Sequence, residues 1–268
     1  MLTQIALERD LTALGLRDGD MAMVHAGMRS VGRLIGGPDT LIAALRAVLG
    51  TGGTLVGYPS WEAPYEELLD ERRAVPAEWR DHVPGFDPAT GRAARDNGAF
   101  QEFLRTTPGT LRSANPGASI SAIGARAAWL TADHPLDYGY GDGTPLARLV
   151  EGGGRVLMIG APHDTCTLLH LAEHRARIPG KRVLSYDVAL AGAGGTRWVR
   201  IEEFDTSDPV LDAMPANMFE IIVDAYLASG EGAQGKVGQA PSTLMDAAPL
   251  LDFAVRWIET RYGGLDAG

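Results

Sequence analysis

The chain has 268 residues, 45% hydrophobic and 22% charged, a balance that excludes disordered, collagen-like and coiled-coil classes. Its 24 Lys and Arg against 34 Asp and Glu leave a net charge of −10. A nucleic-acid binder, which needs a basic face, is therefore not expected, whereas solubility or a cationic ligand suits the acidity. A single cysteine excludes a disulfide framework or an all-cysteine metal site within the chain and suits a reducing compartment.

No run approaches the ~18 apolar residues needed to span a bilayer. The opening Met1–Asp10 lacks the basic-then-apolar order of an export signal, so a cytoplasmic protein with no membrane partner is expected.

In chain order, Leu7, Leu11, Leu14 and Leu16 predict an amphipathic helix ended by Gly15. Met21 to His25 reads as a buried strand. Asp39 or Thr40 is positioned to cap a helix over Leu41 to Leu49, and Thr54 to Tyr58 reads as a second strand. Residues 61–95, rich in Glu, Asp, Arg and Pro, lack a period and read as a long insertion or lid. Order resumes with a helix around Phe100 to Leu104, a strand over Ser119 to Ile123, and a helix over Ala125 to Leu130. Pro145 opens a helix through Val150. The strand Arg155 to Ile159 follows, then a helix from Thr165 to about Arg177. Lys181 to Leu190 and Arg197 to Phe204 predict a hairpin around Gly192-Ala193-Gly194-Gly195. Helices around Phe219 to Leu227 and Leu250 to Tyr262 close the chain. Strands alternating with helices, then a hairpin, predict an α/β fold: three α/β/α layers with a mixed central sheet. No linker divides residues 1–268, which read as one domain carrying the 61–95 insertion.

Several motifs are candidates for chemistry. His170-Leu171-Ala172-Glu173-His174 matches H-x-x-E-H, whose histidines share a helix face as a zinc hydrolase requires; the alternative has one histidine buried and hydrogen-bonded and the other exposed. Gly230 to Lys236 nearly spells a phosphate loop, but Val237 stands where a hydroxyl is required, and the segment reads as a flexible loop ending a helix. Gly139-Tyr140-Gly141-Asp142-Gly143 reads as a structural turn. Cys166 reads as a small buried hydrophobe rather than a nucleophile. The segment His25-Ala26-Gly27-Met28-Arg29-Ser30-Val31-Gly32 leaves a strand and precedes a helix, where backbone N–H groups and Arg29 and Arg33 suit a pyrophosphate-bearing cofactor and, taken alone, equally an ordinary strand–loop–helix junction. Arg112-Ser113 is a second such pair. Acidic residues gather at Glu62, Glu66, Glu67, Asp70 and Glu71, and again at Glu202, Glu203, Asp205 and Asp208. Glu203 and Glu173 are both candidates to orient His170.

Taken together, the chain resembles the aminoglycoside 3-N-acetyltransferase family. The resemblance is carried by Val24 to Gly32, Gly36-Gly37-Pro38, Gly57-Tyr58-Pro59-Ser60-Trp61, Phe86-Asp87-Pro88-Ala89-Thr90, Arg112-Ser113-Ala114-Asn115-Pro116, Leu157 to Pro162, and Thr167 to Glu173. These run in the family's order over almost the whole chain. It departs at Gly27-Met28, where Ser-Leu or similar is the family pattern, so contacts there fall to the backbone.

The resemblance implies acetyl-coenzyme A as donor, no metal, and the 3-amino group of a cationic 2-deoxystreptamine antibiotic as acceptor, hence antibiotic resistance. It implies a fold distinct from the common N-acetyltransferase superfamily. It also implies a catalytic histidine, placed at His170, and a carboxylate partner, placed at Glu203. Cofactor contacts fall to His25, Ala26, Gly27, Met28, Arg29, Ser30, Val31, Arg112 and Ser113. Acceptor contacts fall to Tyr58, Trp61, Glu66, Asp87, Glu173, Glu202 and Asp205, with 61–95 as a wall and the aromatics on sugar faces. The chemistry fits: a neutral imidazole, with an ordinary pKa of ~6.5, takes a proton from the attacking amine, and a carboxylate on its other nitrogen holds the tautomer. Direct transfer by a monomer or homodimer is expected. Alternatives are a same-family acetyltransferase of another amine, a zinc hydrolase through His170 and His174, and a protein that sequesters a cation without turnover.

Overall fold

A computed structural model describes residues 1–205 and 209–264. Helix α1 (Gln4–Leu14) starts where the Thr3 hydroxyl accepts the Ala6 N–H and stops at left-handed Gly15. Strand β1 (Met21–Ala26), the one-turn helix α2 (Met28–Val31), α3 (Pro38–Leu49) and β2 (Thr54–Gly57) follow. Helix α3 opens with Pro38 at its first turn and Gly37 as cap, not with Asp39 or Thr40 as expected. A proline's fixed φ already suits a helix start, so no side-chain cap is required.

Next come α4 (Ala77–Arg80), α5 (Ala99–Thr106), the two-residue β3 (Leu111–Arg112), β4 (Ser121–Gly124), α6 (Ala127–Thr131), α7 (Pro145–Glu151) and β5 (Arg155–Ile159). Helix α8 (Leu168–Arg175) is shorter than expected, because His163–Thr165 forms a separate 3-10 turn. The hairpin β6 (Val183–Gly192) and β7 (Gly195–Phe204), then α9 (Met218–Ala228), β8 (Ala233–Val237), β9 (Ala240–Asp246) and α10 (Ala247–Tyr262) complete the chain. The expected flexible loop over 230–237 is thus corrected: most of it is β8, held by antiparallel pairing with β9.

Seven strands form one mixed sheet in the order β3-β4-β2-β1-β5-β9-β8. Strand β1 lies at its centre, parallel to β2 and β5, and the outer pairs are antiparallel. Side-chain alternation divides the core. Met21 and Met23 join the cluster under α6 to α10, whereas Ala22, Val24 and Ala26 join the cluster under α1, α3 and α5. By the same alternation His25 stands on the α8 face. The β6–β7 hairpin forms its own two-stranded sheet and packs on the 61–95 segment through Trp61, Tyr65, Val75, Val83, Phe86, Ala189 and Leu190. The Arg80–Asp187 ion pair, 2.9 Å apart, ties the two pieces together. No helix of the described residues is long and apolar enough to cross a membrane.

Candidate active site

Helix α8 turns Leu168, Leu169, Leu171 and Ala172 into the core, which fixes its rotation. His170 and Glu173, three residues apart, therefore meet on one face. His170 Nδ1 donates to Glu173 Oε2 at 2.9 Å. That contact leaves Nε2 with its lone pair, the arrangement of a general base. Glu173 is 3% exposed, and the rings of Tyr140 and Phe219 flank His170 at centroid distances of 4.7 and 4.9 Å.

One turn further along α8, His174 Nε2 lies 3.0 Å from Glu203 Oε1, both side chains buried, although the pair is not aligned as a hydrogen bond. Glu203 Oε1 also accepts the Phe204 N–H at 2.7 Å. The expected His170–Glu203 pair is thus corrected: Glu173 holds His170, and Glu203, reaching in from β7, meets the next turn of the helix. Glu173, expected at the acceptor, lies beneath His170 instead.

A cavity of about 420 Å³ opens between the 61–95 segment and the hairpin. Trp61, Tyr65, Tyr140 and Tyr186 give it aromatic walls, and Glu66, Glu203 and Asp205 give it carboxylates. Burial pushes the Tyr140 hydroxyl well above the usual phenol range and raises Tyr58 as well, so both stay protonated. Their hydroxyls are 2.5 Å apart and each lies 3.2 Å from the Gly117 carbonyl oxygen. This pair forms the partition to a second cavity of about 140 Å³, lined by Tyr58, His25, Ala26, Gly27, Gly98 and Thr167 among others. At Gly27 a Cβ would lie 2.3 Å from the Gly160 carbonyl oxygen, so glycine lets the ends of β1 and β5 close on this cavity.

Of the expected cofactor residues, His25, Ala26 and Gly27 line the small cavity. Met28 starts α2, Arg29 and Ser30 are exposed, and Val31 is buried in the core. Arg112 and Ser113 are placed elsewhere. The Arg112 guanidinium donates to Ser119 Oγ and to the Gly91 and Ser60 carbonyls and covers the Phe86 ring. Ser113 Oγ accepts the Ile120 N–H and contacts His134. Both fasten loops, because β3 is the sheet edge from which those loops hang.

Of the expected acceptor residues, Trp61, Glu66 and Asp205 line the large cavity, and Tyr58 stands at the partition. Asp87 is spent on its own turn, accepting from the Ala89 N–H and the Thr90 hydroxyl. Glu202 points to the opposite face of β7 from Glu203 and is exposed. Asp208 lies outside the described residues.

Tyr140 is the residue that sequence reasoning missed. It sits in the glycine-rich stretch read as a structural turn, and no local pattern sets it apart from a turn tyrosine. Cys166 is fully buried, and burial pushes its thiol up to about 12, as a small core residue requires. Among the described residues no three His, Cys, Asp or Glu side chains form a metal-holding group.

The family model for aminoglycoside 3-N-acetyltransferase matches residues 23–259. The chain belongs to that family. It is 46% identical to aminoglycoside N(3)-acetyltransferase III of Pseudomonas aeruginosa, over 94% of this chain and 91% of that one. It is 44% identical to aminoglycoside N(3)-acetyltransferase VIII of Streptomyces fradiae, over 100% and 95%. Among solved structures, AAC-IIIb in binary complex with CoASH superposes with a TM-score of 0.97 at 59% identity, covering 99% of each chain. AAC-VIa bound to sisomicin superposes at 0.92 and 41% identity, covering 98% of this chain and 99% of the other. In this chain the two cavities, one acid-lined and one small, lie on either side of the Tyr58–Tyr140 pair, and the His170 ring packs on Tyr140.

Proposed function

We propose that this chain moves the acetyl group of acetyl-coenzyme A directly to the 3-amino group of a 2-deoxystreptamine aminoglycoside, so conferring resistance, with His170 as general base and Glu173 as the residue that orients it. The observation that carries the reading is the 2.9 Å contact from His170 Nδ1 to Glu173 Oε2, next to a cavity walled by Glu66, Glu203 and Asp205. Carboxylates steer and hold a polycation, and aromatic rings pack on sugar faces. Acetyl-coenzyme A fits the small cavity at its reactive end, because the space is narrow and its lining includes His25, whose buried imidazole nitrogen has no partner. The coenzyme supplies the activated thioester. His170 Nε2 takes the proton that the acceptor nitrogen loses, and buried Glu173 stabilises the imidazolium so formed.

In this reading residues 1–268 form one domain, with 61–95 as its acceptor wall. It works as a monomer or homodimer in the cytoplasm, where acetyl-coenzyme A is held. Thiol release from acetyl-coenzyme A, measured with and without a panel of 2-deoxystreptamine aminoglycosides, tests it. Aminoglycoside-dependent release supports the reading, and NMR of the product locates the acetyl group. No release from folded protein that binds coenzyme A overturns the acceptor assignment.

A further inference from the structure

His25 is near the end of β1, the central strand, and is 6% exposed. Its Nε2 has no hydrogen-bond partner. A buried polar atom left unpaired in a well-packed sheet is costly and calls for a use. His25 is one of the residues lining the 140 Å³ cavity. That space compares with an engineered cavity of ~150 Å³ that binds benzene, so it has room for an acetyl thioester.

The other polar side chains of this wall are mostly committed. The Tyr58 hydroxyl is engaged with Tyr140 and Gly117. Thr165 Oγ1 donates to the Pro162 carbonyl, and Asn97 Nδ2 to the Pro59 carbonyl. Asp96 can only accept when ionised. Thr167, which lines the same cavity, immediately precedes α8, and its carbonyl oxygen accepts the His170 N–H at 3.2 Å. The cavity wall is thus bonded directly to the turn that carries the base.

We propose that His25 is a catalytic residue, whose imidazole donates a hydrogen bond to the carbonyl oxygen of the acetyl thioester seated in this cavity. The proposal rests on the reading of acetyl-coenzyme A as donor. As the amine nitrogen forms its bond to the carbonyl carbon, the π pair moves onto oxygen, where the His25 N–H stabilises it. His170 takes the nitrogen's proton. The oxygen pair then restores the carbonyl as the C–S bond breaks, and sulfur leaves with that bonding pair and recovers the proton from His170. His25 keeps its own proton throughout. Burial holds its pKa down to about 4, so at neutral pH it is an uncharged donor, which suits a neutral carbonyl.

The test is isotope-edited infrared spectroscopy of acetyl-coenzyme A labelled with ¹³C at the carbonyl, bound to the full-length enzyme without acceptor. In the wild type the carbonyl stretch should move to lower frequency than in solution. His25→Phe, which keeps a ring but no donor, should abolish that shift. It should also lower kcat about 10²–10³-fold, the usual cost of one oxyanion donor, while the KM for aminoglycoside stays within a fewfold. His25→Asn, which keeps an N–H, should restore part of the shift and of kcat. Thr167→Val should leave the shift in place. A wild-type carbonyl frequency equal to that in solution overturns the proposal without any variant, as does a shift that survives His25→Phe or disappears in Thr167→Val. Calorimetry separates the two readings: no binding of acetyl-coenzyme A by the wild type removes the donor assignment itself, whereas binding with an unshifted carbonyl removes only the role of His25.

Discussion

His170 and Glu173 face each other across 2.9 Å on one side of α8, while the neighbouring His174 meets Glu203 of β7 at 3.0 Å. Two histidines four residues apart are thus served by two different carboxylates, and the two carboxylates should fail in different ways when changed. His170→Ala should lower kcat about 10²–10⁴-fold with little change in coenzyme A affinity. Glu173→Gln should also act mainly on kcat. Steady-state kinetics and coenzyme A titration of both variants check this, and a Glu173→Gln enzyme with wild-type kcat would remove its orienting role.

Glu203 and Glu66 line the acid-walled cavity. Glu66→Gln should raise the KM for a polycationic aminoglycoside by about tenfold or less, as expected for an exposed charge, and weaken its dependence on ionic strength. The KM for acetyl-coenzyme A should not move. Kinetics at low and at physiological salt distinguish this from a structural effect, which would change both KM values.

At Gly141 a Cβ would lie 2.8 Å from His174 Nδ1. Gly141→Ala should therefore push His174 off Glu203 and destabilise the fold by about 1–3 kcal/mol, the usual cost of overpacking. Thermal melts measure the loss. An unchanged Tm would mean that the loop yields freely.

Burial lowers the pKa of both His25 and His134 to about 4, against about 6.5 in an unfolded chain. Between those values the unfolded chain binds more protons, so unfolding becomes easier as pH falls from 6.5 towards 4, and the stabilisation is complete above 6.5. Each histidine contributes on the order of 3 kcal/mol at most. His134 donates from Nε2 to the Gly139 carbonyl, and its Nδ1 accepts from the Ser113 hydroxyl, so His134→Gln should flatten part of this acid limb in urea titrations at several pH values.

Cys166 is buried and its thiol is pushed up to about 12, so it holds almost no thiolate at neutral pH. Cys166→Ser should stay active, and the native thiol should resist alkylation until the protein unfolds. Trapping an acetylated Cys166 that goes on to product would contradict direct transfer.

Much of the scaffold is legible in the chain because it rests on short-range rules. Met21 to His25 announces a buried strand by its apolar run, Pro145 announces a helix start, and the glycines at 192–195 announce a hairpin. His170 comes forward through the family resemblance, whose segment Thr167 to Glu173 is local. Strand β8 is not legible: its Gln, Gly and Lys residues carry no strand pattern, and only pairing with β9 extends them. Nor is the choice among Glu173, Glu202 and Glu203. That choice depends on how α8 is rotated by the leucines it buries and on which face of β7 each glutamate takes. Tyr140 is hidden for the same reason, because it acquires its place only when the fold brings its hydroxyl to Tyr58, 82 residues away. The sequence alone thus determined most of the elements and the family resemblance and singled out His170 as a candidate, because those readings rest on short motifs and local spacing. Tertiary structure alone decided which acid contacts which histidine and where the two cavities meet, because helix rotation and strand facing, and contacts between distant segments, place those side chains.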